Sequence, residues 1–495
     1  MSKQPHVIII GAGLGGLASA IYCASKGLKV TIFEKNSHAG GKCNLLVNEG
    51  FSFDLGPSIL LLPDIFRSVY QIAGKRFDDY VSIRPLDIQW RSFFGDGTVI
   101  DLYADYKRTS DCLAKYGKTE NPRFEAFCRY AIRQYTVLNE LYLNRNINSP
   151  FDLLKCNGIF KLFTLDLFRT MHGSTKRFFK DKHLIDIFDY FIKYVGSSAY
   201  KAPAFMNLLS GAQFSTGLWY VNGGIYNIVR GYLKLIDTLD IDLRLNSEVK
   251  QIVTKGRNVS GVVLHTEEQV HADAVISNME VIPAYKMLLP NDKNAIKNLW
   301  RYEPSCSGLV IHLGIDKVYT ELAHHNFFFS KDQRKYFHSV FEDYELPEDP
   351  TIYVVAPSRS DLSVAPSGYD TIKILPHIPH LIPGKQIDQS EYEAFGGMVI
   401  QKLERMGLHD LRKHIVVRDM WTPYDIYNKY YSNAGSIYGV VTDFWKNYAF
   451  KAPRQSRMFK NLFFAGGSVN PGGGMPMVTL SGMHAGKMVV QLFNR

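Results

Sequence analysis

The sequence predicts an α/β protein built around a parallel sheet, with a mostly helical segment and a second, mixed sheet inserted between the parts of that sheet. Three observations support this. Apolar runs alternate with helical patterns near the N-terminus, glycine-rich turns follow apolar runs at both ends of the chain, and the segments between them change from helical to strand-like periodicity. At 495 residues with 46% hydrophobic residues, the chain is long enough for two or three hydrophobic cores.

Residues 7–33 follow the pattern strand, glycine-rich turn, helix, strand. In the turn, Gly11 permits a sharp change of direction, Gly13 lets the backbone approach a pyrophosphate, and Gly16 allows close packing of the helix on the strand. Glu34 ends the second strand and is placed to accept hydrogen bonds from ribose hydroxyls. The segment therefore predicts a dinucleotide bound at the N-terminus of the helix.

A second glycine pair, Gly40-Gly41, precedes Lys42 and lies beyond the acidic residue. It favours a flavin over a nicotinamide cofactor, because such a doublet resembles the FAD-binding pattern of the amine oxidase and carotenoid desaturase superfamily. At the other end of the chain, glycine-rich residues 466–474 precede a helix predicted from 477 to 492. Backbone amides at that helix N-terminus would stabilise negative charge on the reduced ring and so favour hydride acceptance.

These elements predict an FAD site formed by two ends of one chain. We expect the cofactor to contact residues of the N-terminal turn, the Glu34 region, the Gly56 loop and the C-terminal turn. The residues are Gly11, Ala12, Gly13, Leu14, Gly15, Gly16, Glu34, Lys35, Gly41, Lys42, Gly56, Pro57, Ser58, Val249, Gly466, Gly467, Met475, Pro476 and Met477.

The domain organisation follows from the same patterns. We expect residues 1–105, 215–284 and 421–495 to form a discontinuous FAD-binding domain. Residues 106–214 are rich in Tyr, Phe and Leu and predict a mostly helical domain for membrane contact and substrate entry. Residues 285–420 carry many short strand-like runs and predict a substrate-binding sheet.

Composition narrows the function classes. The net charge of +10 is compatible with nucleic acid, an anionic membrane surface or solubility alone, but no nucleic-acid module is visible and we expect no such partner. The six cysteines show no CxxC pair, which predicts reduced thiols in the cytoplasm and no metal site. No apolar run approaches the length of a spanning helix, and the N-terminus carries a core strand in place of a signal peptide.

Basic residues concentrate between positions 151 and 182, where seven bases accompany three acids among many Phe and Leu residues. This composition is typical of a helix lying in a membrane interface. It is equally typical of an ordinary amphipathic helix with a solvated rim. Composition alone leaves both interpretations open.

Longer motifs are spread over nearly the whole chain. They resemble the bacterial phytoene desaturase family of FAD-dependent carotenoid oxidoreductases in residues 54–61 (DLGPSILL), 305–316 (SCSGLVIHLGID), 324–330 (HHNFFFS), 349–353 (DPTIY) and 470–482 (NPGGGMPMVTLSG). Within it, the chain is similar to the diaponeurosporene oxygenase branch of staphyloxanthin-type pathways, in residues 89–98, 191–198, 217–225, 277–283 and 375–380.

The resemblance implies the two-dinucleotide-binding fold shared with amine oxidases and GDP dissociation inhibitors. It also implies oxidation of the terminal methyl group of an acyclic C30 carotenoid to an aldehyde, by hydride abstraction and oxygen insertion. The polyene would enter an apolar tunnel from an anionic membrane surface, with residues 151–182 as the peripheral docking surface on the cytoplasmic side. O2 or a quinone would accept the electrons. The alternatives are a carotenoid desaturase and a non-catalytic isoprenoid carrier, although carriers lack an intact glycine turn.

No catalytic residue is assigned, because the flavin itself performs hydride abstraction. His377 and His325 are candidates for handling a proton, although histidines among aromatic residues are commonly structural. His377 stands where the resemblance implies an apolar residue in desaturases and is therefore a candidate for the polar end of the tunnel. Arg91 is a further candidate and is more typical of an ion-pairing or tunnel-mouth residue.

Overall fold

The computed structural model describes residues 4–116, 120–145, 147, 152, 159–289, 299, 301–443, 447 and 450–494. These residues form a parallel sheet, a large mixed sheet and a helical layer that covers one side of the mixed sheet. The predicted α/β class with an inserted helical segment and an inserted mixed sheet is therefore observed.

The parallel sheet assembles strands from both ends and the middle of the chain. Four of its five strands are nearly completely buried, which explains the almost unbroken Val and Ile runs, since a parallel sheet is covered on both faces. In spatial order its strands are Leu462–Phe464, Ala274–Ser277, His6–Ile10, Lys29–Phe33 and Asp242–Arg244. An antiparallel meander of Val249–Lys255, Asn258–Leu264 and Gln269–His271 lies beside it, which includes the hairpin predicted there.

The mixed sheet contains eight described strands and extends beyond residues 285–420. Two strands assigned from sequence to the FAD-binding domain join it, because Ile88–Phe93 pairs in parallel with His325–Phe328 and the rings of Phe93 and Phe328 stack with centroids 4.5 Å apart. The sheet order is Ile415–Trp421, Val310–Ile315, Asp370–Ile378, Ile352–Val355, His325–Phe328, Ile88–Phe93 and Val99–Tyr103, with Ser307–Gly308 also pairing with Asp370–Ile378. Two separate antiparallel pairs complete the strands: the hairpin of Leu45–Asn48 with Phe51–Asp54, and Ile83–Pro85 with Trp219–Val221.

The helices fill the remaining segments. Those of the described chain are Leu14–Ala24, Pro63–Ile72, Tyr106–Leu113, Glu120–Leu138, Met171–Phe178, Lys182–Tyr190, Leu208–Thr216, Asn227–Thr238, Val281–Leu288, Gln333–His338, Gln389–Arg405, Pro423–Tyr430 and Met475–Phe493. The last of these begins two residues before the predicted start, because Pro476 occupies the first turn, where proline is favoured.

The first helix, Leu14–Ala24, and the last helix, Met475–Phe493, pack directly against each other. A Cβ added to Gly482 would lie 2.1 Å from the carbonyl oxygen of Gly15, so the two backbones touch where no side chain intervenes. This contact brings the two glycine-rich turns of the chain to one place.

Candidate active site

A continuous cavity of about 1120 Å³ runs from the N-terminal glycine turn to the face of the mixed sheet. One part is bordered by backbone and polar side chains of the parallel sheet and its turns. The other part, here called the apolar arm, is lined by Leu, Phe and Tyr side chains of the helical layer, among them Tyr135, Leu138, Leu143, Leu162, Leu165, Leu167, Phe205, Met206 and Leu209. The cavity thus has the two environments that a dinucleotide and an apolar ligand require.

The carboxylate of Glu34 fixes the N-terminal turn through hydrogen bonds. One oxygen accepts a hydrogen bond of 2.8 Å from the backbone N–H of Ala12, and the other accepts bonds from the backbone and side-chain nitrogens of Asn36 at 2.9 and 2.8 Å. Glu34 is buried and borders the cavity. The acidic residue expected to receive ribose hydroxyls therefore also fixes the turn that faces the pyrophosphate.

Glycine is required at this turn because Asn278 lies against it. A Cβ on Gly13 would lie 2.6 Å from Oδ1 of Asn278, and one on Gly15 would lie 2.8 Å from its Nδ2 and 3.2 Å from the backbone nitrogen of Gly466. The Nδ2 atom of Asn278 also donates to the carbonyl of Ala465 at 3.2 Å. Asn278 thereby joins the two glycine turns. Sequence reasoning missed it, although its position directly after a core strand was a usable signal.

Most of the predicted FAD contacts border this one cavity. Those that do are Gly11, Gly13, Leu14, Gly15, Glu34, Lys35, Gly41, Lys42, Gly56, Pro57, Ser58, Val249, Gly466, Gly467, Met475, Pro476 and Met477. Ala12 and Gly16 stand behind the lining, and Gly16 packs against the carbonyl of Gly11. The Lys42 ammonium forms an ion pair with Glu280 at 2.9 Å, so it is already neutralised within the protein.

Lys373 stabilises the loop that carries Pro57. Its ammonium donates hydrogen bonds to the carbonyls of Asp54, at 2.9 Å, and Gly56, and to the hydroxyl of Ser58 at 3.2 Å. Burial lowers the pKa of Lys373 to about 8, and the nearby Asp54 carboxylate partly opposes that shift. Lys373 belongs to the mixed sheet, so this side chain connects that sheet to the loop of Pro57. Sequence analysis did not single it out.

The arrangement suits FAD. The first turns of the first and last helices both border the cavity, with Gly13 and Gly474 as their N-cap residues, and the free amides of a helix N-terminus favour a bound anion. Glycine at positions 13 and 15 lets Asn278 pack against the turn, and the backbone of Gly11, Gly13 and Gly15 borders the cavity without a side chain. Bound there, FAD supplies the two-electron acceptor, and the chain supplies position and electrostatics.

His325 and His377 lie beside the cavity without bordering it. Nδ1 of His325 is 2.9 Å from the Tyr353 hydroxyl, and Nδ1 of His377 is 3.3 Å from the Tyr190 hydroxyl. Burial lowers the pKa of His377 to about 3 and that of His325 well below its usual value, so both imidazoles are neutral. A proton-handling role remains a hypothesis.

Arg91 is engaged in a bidentate ion pair with Asp101, with N–O distances of 2.9 and 2.7 Å, and donates to the carbonyl of Glu321. It does not border the cavity. In the described part of the chain, no group of three or more His, Cys, Asp or Glu side chains is arranged to hold a metal ion.

The fold and the cradle define an FAD-dependent oxidoreductase. The profile of the flavin-containing amine oxidoreductases matches residues 14–489, and the chain belongs to this family. It is 50% identical to a 4,4'-diapolycopene oxygenase of a Methylomonas species over 482 residues, which are 97% of each chain. It is 45% identical to the 4,4'-diaponeurosporene oxygenase of Staphylococcus haemolyticus, covering 97% of this chain and 96% of that one.

Solved structures confirm the fold at low sequence identity. An oxidoreductase from Methanosarcina mazei is 14% identical and superimposes with a TM-score of 0.64. The alignment covers 99% of this chain and 100% of that one. The predicted fold class and the predicted cofactor, FAD, are both confirmed.

Proposed function

We propose that this enzyme oxidises the terminal methyl group of an acyclic C30 carotenoid to an aldehyde. The observation that carries the proposal is the continuity of the cavity, since the apolar arm leads directly to the loop of Pro57 and the turn of Gly474, where the flavin ring is expected. The names of the two oxygenases that share 45–50% of its residues support a carotenoid substrate.

The chemistry requires positioning more than acid–base catalysis. Removal of a hydride from a methyl carbon conjugated to a polyene leaves a cation delocalised along the chain, so no strong base is needed. The neutral His325 and His377 are consistent with this. The apolar arm orients the polyene and excludes water from most of its length, and the carbon that reaches the flavin decides the product. Water and O2 are both compatible sources of oxygen, and O2 or a quinone accepts the electrons.

Expression in cells that make a defined C30 polyene, followed by mass spectrometry of the pigment, tests this function. We expect a product that has gained one oxygen and lost two hydrogens, with a carbonyl band in its infrared spectrum. Cells that carry the empty vector are the control. A longer chromophore without a carbonyl would identify a desaturase and contradict the proposal.

We further propose that the enzyme binds peripherally to an anionic membrane surface beside the apolar arm. Residues 151 and 153–158 of the predicted docking segment lie outside the described residues. In the described part, Phe160, Phe163 and Phe168 are 79%, 83% and 97% exposed. Leu162 and Leu167, between them in sequence, border the apolar arm. One short segment therefore presents aromatic rings to the surroundings and lines the substrate cavity.

Charge supports the same assignment. The described residues from 159 to 182 include six basic side chains and two acidic ones. Basic groups beside exposed aromatic rings favour anionic headgroups as the partner. No helix in the described part of the chain is long and apolar enough to cross a bilayer.

We expect a triple variant, Phe160→Ser, Phe163→Ser and Phe168→Ser, to lower partitioning into phosphatidylglycerol vesicles by about 100-fold, because three rings no longer enter the interface. Vesicle co-sedimentation of the holoenzyme measures this. Leu362→Ser is the matched control, since Leu362 is 82% exposed in a different part of the molecule. Equal loss in the control, or unchanged binding of the triple variant, would contradict this docking surface.

A further inference from the structure

Lys193 is buried beside the active-site cavity among aromatic rings. It lies in the short helical turn Phe191–Val195, is 4% exposed and borders the cavity. Four rings surround its ammonium, here called the aromatic cage. The distances from Nζ to the ring centroids are 4.1 Å for Tyr353, 4.6 Å for Tyr194, 4.7 Å for Phe327 and 5.1 Å for Trp90.

Lys193 differs from the other lysines that border the cavity. Each of those donates at least one hydrogen bond to the protein: Lys35 to Asn428, Lys42 to Glu280 and Ser432, Lys250 to Glu267, Lys373 to the Gly56 loop, and Lys451 to Val440 and Thr442. Within the residues that the structure describes, the Lys193 ammonium has ring contacts and no hydrogen-bond acceptor. Its N–H groups are therefore available to a ligand in the cavity.

The hydroxyls of the aromatic cage do not satisfy this lysine. The Tyr194 hydroxyl donates to Oε1 of Gln213 at 2.9 Å, and the Tyr353 hydroxyl is paired with Nδ1 of His325 at 2.9 Å. Burial lowers the pKa of Lys193 well below its usual value, and no acidic side chain opposes the shift. A buried, unpaired amine is costly unless a bound group compensates for it.

Lys193 lies at the end of the apolar arm where the flavin ring is expected. The carbonyl of Tyr194, adjacent in sequence, lies 3.9 Å from where a Cβ on Gly474 would stand, and Gly474 caps the last helix. Leu375 borders the cavity beside Tyr353, its strand partner. A polyene that fills the apolar arm would therefore place its reacting end near Lys193.

A hydrocarbon terminus cannot accept a hydrogen bond, whereas a terminus that carries an oxygen atom can. We propose that Lys193 binds the oxygen atom of the once-oxidised polyene terminus and keeps that end at the flavin for the second oxidation. This inference rests on the proposed function. Conversion of the terminal CH2OH to CHO passes the hydride of the carbon and the proton of the hydroxyl to FAD, which becomes FADH2. Lys193 acts as a positioning residue that donates an N–H to the oxygen.

The test compares two ligands on the holoenzyme by quenching of flavin fluorescence. One is a C30 polyene hydrocarbon, and the other is the corresponding terminal aldehyde, which carries the same terminal oxygen as the alcohol and is not consumed by the alcohol-to-aldehyde step. We expect Lys193→Met to weaken aldehyde binding about tenfold and to leave hydrocarbon binding within twofold. Lys193→Gln retains a donor and should keep the preference for the aldehyde. In turnover, Lys193→Met should raise the ratio of alcohol to aldehyde product. Equal losses for both ligands, or unchanged aldehyde binding, would overturn the proposal.

A measurement on the wild-type protein does not depend on how the variants fold. Resonance Raman spectra of the bound aldehyde should show the C=O stretch at lower frequency than in an apolar solvent, because a hydrogen bond weakens that bond. An unshifted band would overturn the role of Lys193. Failure of the proposed function has a different signature, a pigment without oxygen, whatever the two ligand affinities are.

Discussion

Gly16→Ala is expected to abolish FAD binding. A Cβ at Gly16 would lie 2.1 Å from the carbonyl oxygen of Gly11 and 3.2 Å from Cβ of Asn278, so the turn or the first helix must move. Either movement displaces the amides that face the diphosphate, and the close approach of helix to strand is lost. We expect the purified variant to lack the visible flavin band and to bind added FAD at least about 100-fold more weakly.

The matched control is the same substitution at Gly397. Gly397 lies within the helix Gln389–Arg405, and an added Cβ meets no atom within 4 Å. Alanine there should leave flavin content unchanged and raise the free energy of unfolding by about 0.5–1 kcal/mol, because alanine is the better helix former. Normal flavin content in the Gly16 variant would show that the turn does not need close packing at this position.

Local patterns in the sequence were sufficient to predict FAD as the cofactor and to find the turns that border the cavity. The turn from Gly11 to Gly16, Glu34 and the glycine turn before the last helix carry their signals in adjacent residues, because each depends on conformations that few residue types adopt. The meeting of the two ends was predictable as well, since the chain offers two glycine turns for one cofactor.

Contacts between distant segments were beyond sequence reasoning. The pairing of Ser92 with Phe327 joins strands that are separated by nearly half of the chain, and nothing in either strand specifies the partner. The same holds for Asn278, whose neighbours come from both ends of the molecule. In the sequence, Lys193 cannot be distinguished from other basic residues, because tertiary packing brings the aromatic rings to it. Positions set by tertiary packing have no local signature.

Lys373→Met is expected to be the most damaging change outside the glycine turns. It leaves the carbonyls of Asp54 and Gly56 without the donor that Lys373 supplies. We expect a loss of about 3 kcal/mol in the free energy of unfolding, together with weaker FAD binding. Lys335→Met is the control, because Lys335 is exposed and its ion pair with Glu348 should contribute less than about 1 kcal/mol.

The pH dependence of that loss identifies its cause. The pKa of Lys373 is about 8 in the folded protein, below its ordinary value of 10.5, because the fold buries the ammonium; Asp54 and Cys43 oppose the shift. Between these two values the unfolded chain binds more protons, so Lys373 makes the wild type more stable as pH rises. Urea titrations from pH 7 to 10 should show the difference between wild type and Lys373→Met increasing, by at most about 1.4 kcal/mol per pH unit. A difference that is independent of pH would mean that Lys373 is not buried as an ammonium and that the loop is stabilised by other contacts.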